Sequence, residues 1–318
     1  MAEALAALRR GEAIGLPTET VYGLAADASR PDAVRRIFAL KGRPADHPLI
    51  VHVADAGQLD RWARDVPDAA RILSAAFWPG PLTLILRKQP GVPDEVTGGQ
   101  ATVGLRCPSH PMALALLQAF DGGLAAPSAN RFGHVSPTTA AHVRDEFGDA
   151  VPVVLDGGEC EVGIESTILD LSGGTPRILR PGRITRAQIE ALVGNVAEGG
   201  DDQSPRASGT LDAHYAPRTA LLLLPRDALV AEARLQEALG KRVAVLALGT
   251  LPDGLHGTAL PDHADGYAHG LYAALRALDA VGANLLLAQR PPQSRDWLAV
   301  NDRLRRSAAG AGLPGDAP

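Results

Sequence analysis

Apolar runs alternate with amphipathic stretches over the first two thirds of the chain. Six runs rich in aliphatic and β-branched residues predict strands. They lie at Ala13–Leu16, Leu49–Val53, Leu82–Leu86, Thr102–Arg106, Val151–Leu155 and Ser166–Leu171. Stretches that open with Asp, Pro or Thr predict helices between them, at Asp32–Leu40, Asp68–Phe77, Pro111–Phe120 and Thr138–Phe147. This alternation predicts an α/β domain over residues 1–196.

A polar stretch rich in Gly, Asp and Ser interrupts this pattern, and residues 197–216 are predicted to form a linker. The alternation then resumes over residues 217–309. Strands are predicted at Ala220–Leu224, Arg242–Leu248 and Ala283–Ala288, and helices at Asp227–Leu239 and Gly270–Ala280. A smaller, doubly wound α/β domain is therefore expected. From Ser307 the chain is a stretch rich in Gly, Ala and Pro that is not expected to be ordered, and residues 310–318 are predicted to be a disordered tail.

Length and charge add limits to this picture. The 318 residues exceed what one hydrophobic core usually organises, which agrees with two domains. The net charge is -5, with 19 basic and 22 acidic residues up to residue 196 and 12 and 14 after it. Proteins that bind nucleic acid through its phosphates normally present a basic face. Stable binding of tRNA is therefore not expected.

The cysteine content and the N-terminus bear on location. Cys107 and Cys160 are too few for a disulfide framework or a thiolate zinc site, which favours a reducing compartment. Met1–Arg10 has the pattern of a short amphipathic helix rather than of a cleavable signal, and no apolar run approaches membrane-spanning length. We expect a cytoplasmic protein without a membrane partner.

Several familiar motifs are missing or coincidental. Residues 310–315 satisfy G-x-G-x-x-G, but no strand leads into them and Pro314 stands where the helix should begin. No G-x-x-x-x-G-K-[ST] loop is present, so the phosphates of any bound ATP need another binding device. H-E-x-x-H and G-x-S-x-G are also missing. The nine histidines are scattered, and each alone is more typical of a surface or core position.

Two clusters near the N-terminus combine a fixed backbone with polar side chains. In Leu16–Leu24, proline and glycine flank the hydroxyls of Thr18 and Thr20, although a strand end whose threonines cap the next helix is, for this cluster alone, the better explanation. Lys41 and Arg43 are separated by one glycine. In an extended backbone both cations would project from one face, an arrangement that suits a triphosphate. An ordinary charged loop is the alternative.

Further polar residues lie at predicted strand ends and turns. His52 lies within an apolar strand, and Arg106 ends another, where either a bound anion or an exposed ion pair would satisfy it. Small residues around Ser128 allow close approach of a ligand to the backbone. The stretch Val135–Thr138 predicts a helix N-terminus, which favours an anion, although capping alone also explains it.

Taken in this order, these segments resemble the YrdC-like domain of the threonylcarbamoyl-AMP synthase family in its longer, two-domain form. The resemblance runs from about Gly11 to Gly194 and resumes at Ser208–Pro217. The Lys-x-Arg signature of the family appears at Lys41–Arg43, and its Ser-x-Asn signature appears at Ser128–Asn130. The resemblance implies a YrdC-like twisted α/β sheet followed by a Rossmann-like α/β domain.

The resemblance also implies roles for individual residues. The L-threonine site would comprise Thr20, His52, Arg106, the Ala126 backbone and Ser166, with Arg106 on the substrate carboxylate. The ATP site would comprise Lys41, Arg43, His47, Thr102, Ser128, Asn130, Ser136, Arg180, His214 and Tyr215. Lys41 and Arg43 would be the catalytic residues, acting on the phosphates. His47 departs from one form of the pattern, which has asparagine there.

The implied reaction is that of a nucleotidyltransferase. L-threonine, bicarbonate or CO2, and ATP would give threonylcarbamoyl-AMP and pyrophosphate. Mg²⁺ would arrive with ATP, without protein side chains as metal ligands. A tRNA threonylcarbamoyl transferase would then use the product to modify the adenosine next to the anticodon.

Two other functions remain open at this stage. A carbamoyl-adenylate transferase of hydrogenase maturation shares the domain type, but it adds zinc-finger cysteines, and two cysteines argue against it. A non-catalytic RNA-binding module is the alternative from another class. The acidic balance of both halves argues against that one.

Overall fold

A computed structural model of the chain describes residues 1–311 and divides it into two compact units. The first unit comprises Met1–Phe132 and Pro137–Thr210, and the second comprises Gly133–Ser136 and the chain from Leu211 onward. Part of the predicted linker therefore belongs to the first unit. Ala197–Glu198 pairs with a neighbouring strand there, so these residues are held by backbone hydrogen bonds.

The first unit is built on a nine-stranded mixed sheet. Its strands are β1 (Ile14–Leu16), β2 (Gly23–Asp27), β3 (Ile50–His52), β4 (Leu82–Arg87), β5 (Thr102–Arg106), β6 (Leu124–Ala125), β7 (Thr167–Asp170), β8 (Arg177–Arg180) and β9 (Ala197–Glu198). They are ordered β1-β2-β6-β3-β5-β4-β7-β8-β9. Strands distant in sequence thus become neighbours in the middle of the sheet.

Eight α-helices accompany this sheet among the described residues of the first unit. They are α1 (Ala2–Arg9), α2 (Pro31–Lys41), α3 (Leu59–Trp62), α4 (Asp68–Phe77), α5 (Asp94–Thr97), α6 (Pro111–Phe120), α7 (Ala140–Phe147) and α8 (Arg186–Val193). The apolar faces of α2 and α4 bury Ile37 and Leu73 in the main core together with Leu84 of the sheet.

The predicted α/β architecture is confirmed, and β5, α4 and α6 begin and end where the sequence predicts. The strand predicted at Val151–Leu155 was wrong, because only Val154 forms an isolated bridge there, with Gly15. Pro152 lies in this run and lacks the N–H that a sheet ladder requires. α7 begins at Ala140 rather than Thr138, because Thr139 is its N-cap and accepts from the His142 N–H at 3.2 Å.

The second unit contains a four-stranded parallel sheet. Its strands are β10 (Leu221–Leu224), β11 (Val243–Leu248), β12 (Gly257–Leu260) and β13 (Leu285–Gln289), ordered β10-β13-β11-β12. Its helices are α9 (Arg226–Ala238), α10 (Ala264–Ala280) and α11 (Leu298–Gly310). Leu229 and Ala233 of α9 pack against alternate residues of β11 and β13. Parallel strands with intervening helices agree with the predicted Rossmann-like domain.

The expectation that order ends at Ser307 was wrong, because α11 continues to Gly310. Ser307 is fully buried, and its hydroxyl donates to the Tyr215 carbonyl oxygen at 2.7 Å. Ala299, Val300, Arg303 and Leu304 are also buried, at the spacing of one helical face. This periodicity holds the small residues of the last turn in the helix. Residues 312–318 of the predicted tail lie outside the described residues.

Candidate active site

Lys41 and Arg43 leave the backbone at a helix end rather than from an extended segment. α2 ends at Lys41, and Gly42 follows in the left-handed conformation, with φ of 61°. The Arg43 N–H donates to the Phe38 carbonyl oxygen at 3.1 Å, which closes the helix. The predicted extended geometry was therefore wrong, because a glycine after an amphipathic helix favours a C-terminal cap.

Lys41 is buried and joins α2 to the segment that follows β6. Its Nζ donates to the carbonyl oxygens of Ser128 and Asn130, at 2.6 and 2.5 Å. Burial, together with the nearby Arg43 charge, lowers the pKa of Lys41 well below its ordinary value. The structure thus brings together both family signatures, Lys-x-Arg and Ser-x-Asn, which lie 87 residues apart in sequence.

Arg43 and His47 meet around one aromatic ring. The Arg43 guanidinium lies 5.9 Å from the centroid of the Phe132 ring, and the His47 ring meets that ring edge-on at 5.4 Å. Arg43 Nη2 also donates to the Pro48 carbonyl oxygen at 3.0 Å and to Ser208 Oγ at 3.1 Å. Burial and the Arg43 charge lower the pKa of His47. His47 is therefore disposed to stay neutral beside this cation.

A transverse row of residues crosses five neighbouring strands. His52 of β3 pairs with Arg106 of β5, and Leu84 pairs with Leu105, which places Thr83 of β4 beside Arg106. Thr83 pairs with Ile168 of β7, and Ile168 pairs with Arg180 of β8. Directly paired residues project from the same face of a sheet. One face therefore carries His52, Arg106, Thr83 and Arg180.

Ser166 lies at the centre of this row, just before β7. Its hydroxyl is 2.8 Å from Thr83 Oγ1 and 3.2 Å from Arg180 Nη2. Arg180 Nη1 donates further to the Ser208 carbonyl oxygen at 2.9 Å. Ser208 therefore bridges Arg180 and Arg43. The predicted ATP-site arginines share a hydrogen-bonded partner that sequence analysis did not assign to the site.

Thr102 lies at the start of β5 and lines a small cavity over the same sheet face. The cavity is also lined by Pro48, Ile50, Ile168 and Ser208. Ala207 packs against the cluster formed by Ile85, Ile168 and Leu179. Its lining combines aliphatic with polar side chains, a mixture that small-molecule sites share.

His52 and Ala126 are positioned by the middle of the sheet. Burial and the adjacent Arg106 lower the pKa of His52 to about 3, so the ring is neutral at ordinary pH. The Ala126 N–H donates to the Ile50 carbonyl oxygen at 3.0 Å. Thr20 lies in the turn between β1 and β2, with its hydroxyl 2.9 Å from Thr18 Oγ1. Thr20 and His52 are both buried.

Arg106 forms a buried ion pair with Glu19, a residue that sequence analysis missed. Arg106 Nη2 donates to Glu19 Oε1 at 2.7 Å, and both side chains are 5% exposed. Glu19 Oε2 accepts from the Ser109 N–H at 3.1 Å. The only sequence signal was an acidic residue between Thr18 and Thr20 in an otherwise uncharged turn.

Three predicted ATP-site residues belong to the second unit. Ser136 lies in the segment Gly133–Ser136, and its carbonyl oxygen accepts from Arg276 Nε at 3.5 Å. The His214 N–H donates to the Arg306 carbonyl oxygen at 3.3 Å, and Tyr215 has φ of 60°. Arg303 lies over the Tyr215 ring at 5.5 Å. The segment that contains His214 and Tyr215 is therefore fixed to α11.

Among residues 1–311, no three or more His, Cys, Asp and Glu side chains are grouped so that they could hold a metal ion. No helix in the same range has the length and apolarity needed to cross a membrane.

Two protein-family models match consecutive parts of the chain. Residues 6–182 match the Sua5, YciO and YrdC family model, whose description is telomere recombination. Residues 184–309 match a second model, described as threonylcarbamoyl-AMP synthase, C-terminal domain. The chain is thus an α/β protein of the YrdC type with the added C-terminal domain.

Full-length relatives identify the family more closely. The threonylcarbamoyl-AMP synthase of Pyrococcus abyssi is 39% identical over 314 residues, covering 95% of this chain and 92% of the relative. That of Bacillus subtilis is 40% identical over 322 residues, covering 98% of this chain and 93% of the relative. The chain belongs to the threonylcarbamoyl-AMP synthase family.

A solved structure supports the same assignment. The crystal structure of P. abyssi Sua5 complexed with L-threonine matches with a TM-score of 0.90 at 39% identity, covering 97% of this chain and 94% of the other. Both α/β units of this chain therefore have counterparts in a protein of known structure.

Proposed function

We propose that this chain catalyses the formation of threonylcarbamoyl-AMP and pyrophosphate from L-threonine, bicarbonate or CO2, and ATP. Membership of the threonylcarbamoyl-AMP synthase family over both domains supports this activity. The observation that carries this proposal is the row of residues on one sheet face, with Arg106 near one end and Arg180 at the other. Three strand spacings separate these arginines, about 14 Å.

Two separated cations suit two anionic reactants. In this proposal Arg106 binds the threonine carboxylate, and Arg180 and Arg43 bind ATP. Arginine suits both tasks because its planar fork matches carboxylate and phosphate oxygens. Ser166 lies between Arg106 and Arg180 and is hydrogen-bonded to Arg180 and Thr83. In this proposal its hydroxyl lies beside the reacting groups.

The reaction needs positioning more than covalent catalysis. The threonine ammonium loses a proton, and the free amine captures CO2 with release of a second proton, or bicarbonate with release of water. The resulting carbamate oxygen attacks the α-phosphorus of ATP. The bond to pyrophosphate breaks as the new phosphorus–oxygen bond forms. Lys41 and Arg43 would stabilise the charge that develops on the leaving group. Both side chains are buried, where such electrostatic stabilisation is stronger than in water.

Mg²⁺ is proposed to arrive with ATP, bound by its phosphate oxygens. A cation of this type neutralises phosphate charge during transfer of the nucleotidyl group. Buried lysine and arginine side chains fit the phosphates of such a complex.

We also propose a cytoplasmic location, and transfer of the product to a tRNA threonylcarbamoyl transferase. Two buried free thiols suit a reducing compartment.

The activity is tested by supplying ATP and bicarbonate with each amino acid in turn and resolving the products by mass. We expect release of pyrophosphate that depends on L-threonine and bicarbonate, and a product with the mass of threonylcarbamoyl-AMP. ATP consumption that is independent of amino acid would contradict the proposal. Adding a tRNA threonylcarbamoyl transferase and tRNA should then give the modified adenosine.

A further inference from the structure

Glu19 holds a fixed position beside Arg106. It lies in the turn between β1 and β2, and its main-chain carbonyl oxygen accepts from the Val162 N–H at 2.7 Å. Thr18 Oγ1, next to it, accepts from the N–H groups of Thr20 and Val21, both at 3.3 Å. The Ser109 N–H holds the second carboxylate oxygen. The Glu19 carboxylate is thus fixed by both backbone and side-chain contacts.

Glu19 occupies only part of the Arg106 guanidinium. The carboxylate reaches it through one oxygen, at Nη2. Arg106 Nε is buried and has no hydrogen-bond partner among residues 1–311. A buried N–H group without a hydrogen-bond partner costs free energy unless a bound ligand accepts from it. Glu19 therefore orients the fork and leaves donor capacity for a second anion.

Three titratable neighbours of this pair are uncharged at pH 7. His52 is neutral at pH 7 because its pKa is lowered to about 3, and the thiols of Cys107 and Cys160 stay protonated because burial raises their pKa to about 12. These three groups interact with Arg106, and both thiols also interact with Glu19. Glu19 and Arg106 thus form a buried pair of opposite charges with no net charge.

We propose that Glu19 is a positioning and specificity residue that makes this pocket select a zwitterionic amino acid over a simple carboxylate. The proposal rests on the function proposed above and extends it to the substrate class. An arginine without a buried counter-charge would bind any carboxylate strongly. With Glu19 in place, a ligand that brings only a negative charge leaves the pocket with excess negative charge, whereas a zwitterion leaves it neutral.

The test compares two ligands that differ only in the amine. L-threonine and 3-hydroxybutyrate share the carboxylate and the hydroxyl, but only threonine carries the ammonium. Binding of both ligands and of ATP is measured by calorimetry on the full chain. We expect Glu19→Gln to weaken L-threonine binding by about tenfold or more, and to leave 3-hydroxybutyrate binding equal or tighter. ATP affinity should stay within about twofold, which also reports that the variant is folded.

A matched control and a conservative variant separate this role from a merely structural one. Glu12→Gln breaks an exposed ion pair with Arg10 in the same unit and should leave all three affinities unchanged. Glu19→Asp keeps the charge and should retain the preference for threonine over 3-hydroxybutyrate, even if both ligands bind more weakly. This variant decides the matter if Glu19→Gln does not fold, and loss of the preference in Glu19→Asp would overturn the proposal.

Two results distinguish failure of the specificity role of Glu19 from failure of the proposed function. If Glu19→Gln weakens both carboxylate ligands by the same factor, or neither, the specificity role is wrong while the proposed function stands. If the unaltered protein binds no L-threonine and makes no threonylcarbamoyl-AMP, the proposed function itself is wrong.

Discussion

Arg180 donates hydrogen bonds to both the main chain and the side chain of Ser166. Its Nε and Nη2 donate to the Ser166 carbonyl oxygen at 3.1 and 2.9 Å, and Nη2 donates to the hydroxyl at 3.2 Å. The family resemblance implies that Ser166 binds threonine and that Arg180 binds ATP. The two predicted binding sets are therefore linked by direct contacts within the first unit.

This linkage predicts that Arg180→Lys affects both substrates. Lysine carries the charge but cannot donate simultaneously through a planar fork. We expect KM to rise by about tenfold for ATP and also for L-threonine. Initial rates at varied concentrations of each substrate provide the measurement. Arg177→Lys, at the half-buried start of the same strand, is the control, and a rise confined to ATP would contradict the linkage.

Lys41→Met should affect the rate more than the binding of threonine. Methionine fills a similar volume but removes the charge proposed to stabilise departing pyrophosphate. Loss of one such interaction typically costs about 2.7–4 kcal/mol, or about a hundredfold to a thousandfold in kcat. Pyrophosphate release measures it. Lys241→Met, at an exposed position of the second unit, should retain full activity. Near-normal release by Lys41→Met would remove Lys41 from the proposed mechanism.

His52 makes stability depend on pH in a defined window. Burial and the adjacent Arg106 lower the pKa of His52 from its ordinary 6.5 to about 3 in the folded chain. Below pH 6.5 the unfolded chain binds a proton that the folded chain does not, so stability is lost as pH falls towards 3. Between these two pKa values the free energy of unfolding falls by about 1.4 kcal/mol for each pH unit of acidification.

His52→Gln removes this dependence. We expect the free energy of unfolding of the original chain, relative to that of His52→Gln, to fall by roughly 2 kcal/mol between pH 7 and pH 5. Urea denaturation at both pH values measures the difference. His256→Gln changes an exposed histidine and should keep the original pH dependence. Parallel stability curves for His52→Gln and the original chain would show that His52 is not the group responsible.

Gly98 and Gly99 offer a matched pair of substitution sites near the loop that contains Arg43 and Pro48. Both have positive φ, 58° and 75°, so alanine strains the backbone at either position. At Gly98 a Cβ would lie 2.2 Å from the Asp46 carbonyl oxygen, whereas at Gly99 no atom lies within 4 Å. Only the first substitution displaces the backbone that leads to Pro48, whose carbonyl oxygen accepts from Arg43.

We therefore expect Gly98→Ala to lower Tm by several degrees more than Gly99→Ala, and to raise KM for ATP by about threefold or more. Gly99→Ala should leave KM unchanged. Thermal unfolding and ATP titrations on both variants provide the comparison. Equal effects of the two substitutions would show that the contact with Asp46 does not position this loop.

Sequence alone specified most of the local structure. The alternation of residues in β5 and the apolar face of α4 depend on neighbours in the chain, so their bounds were predictable. The short strands β6 and β9 were missed, because two residues carry no readable period. The family signatures also located Lys41 and Ser128 by local pattern, although the assumed extended backbone at Lys41 was wrong.

Tertiary structure alone decided which of these residues meet. The row from His52 through Arg106 and Thr83 to Arg180 depends on strand pairing between segments distant in sequence, which no local pattern encodes. The Glu19–Arg106 pair spans 87 positions, and the Arg43–Ser208 contact spans 165. Side chains become partners through burial in one shared fold, and burial is a property of the whole chain rather than of any short segment.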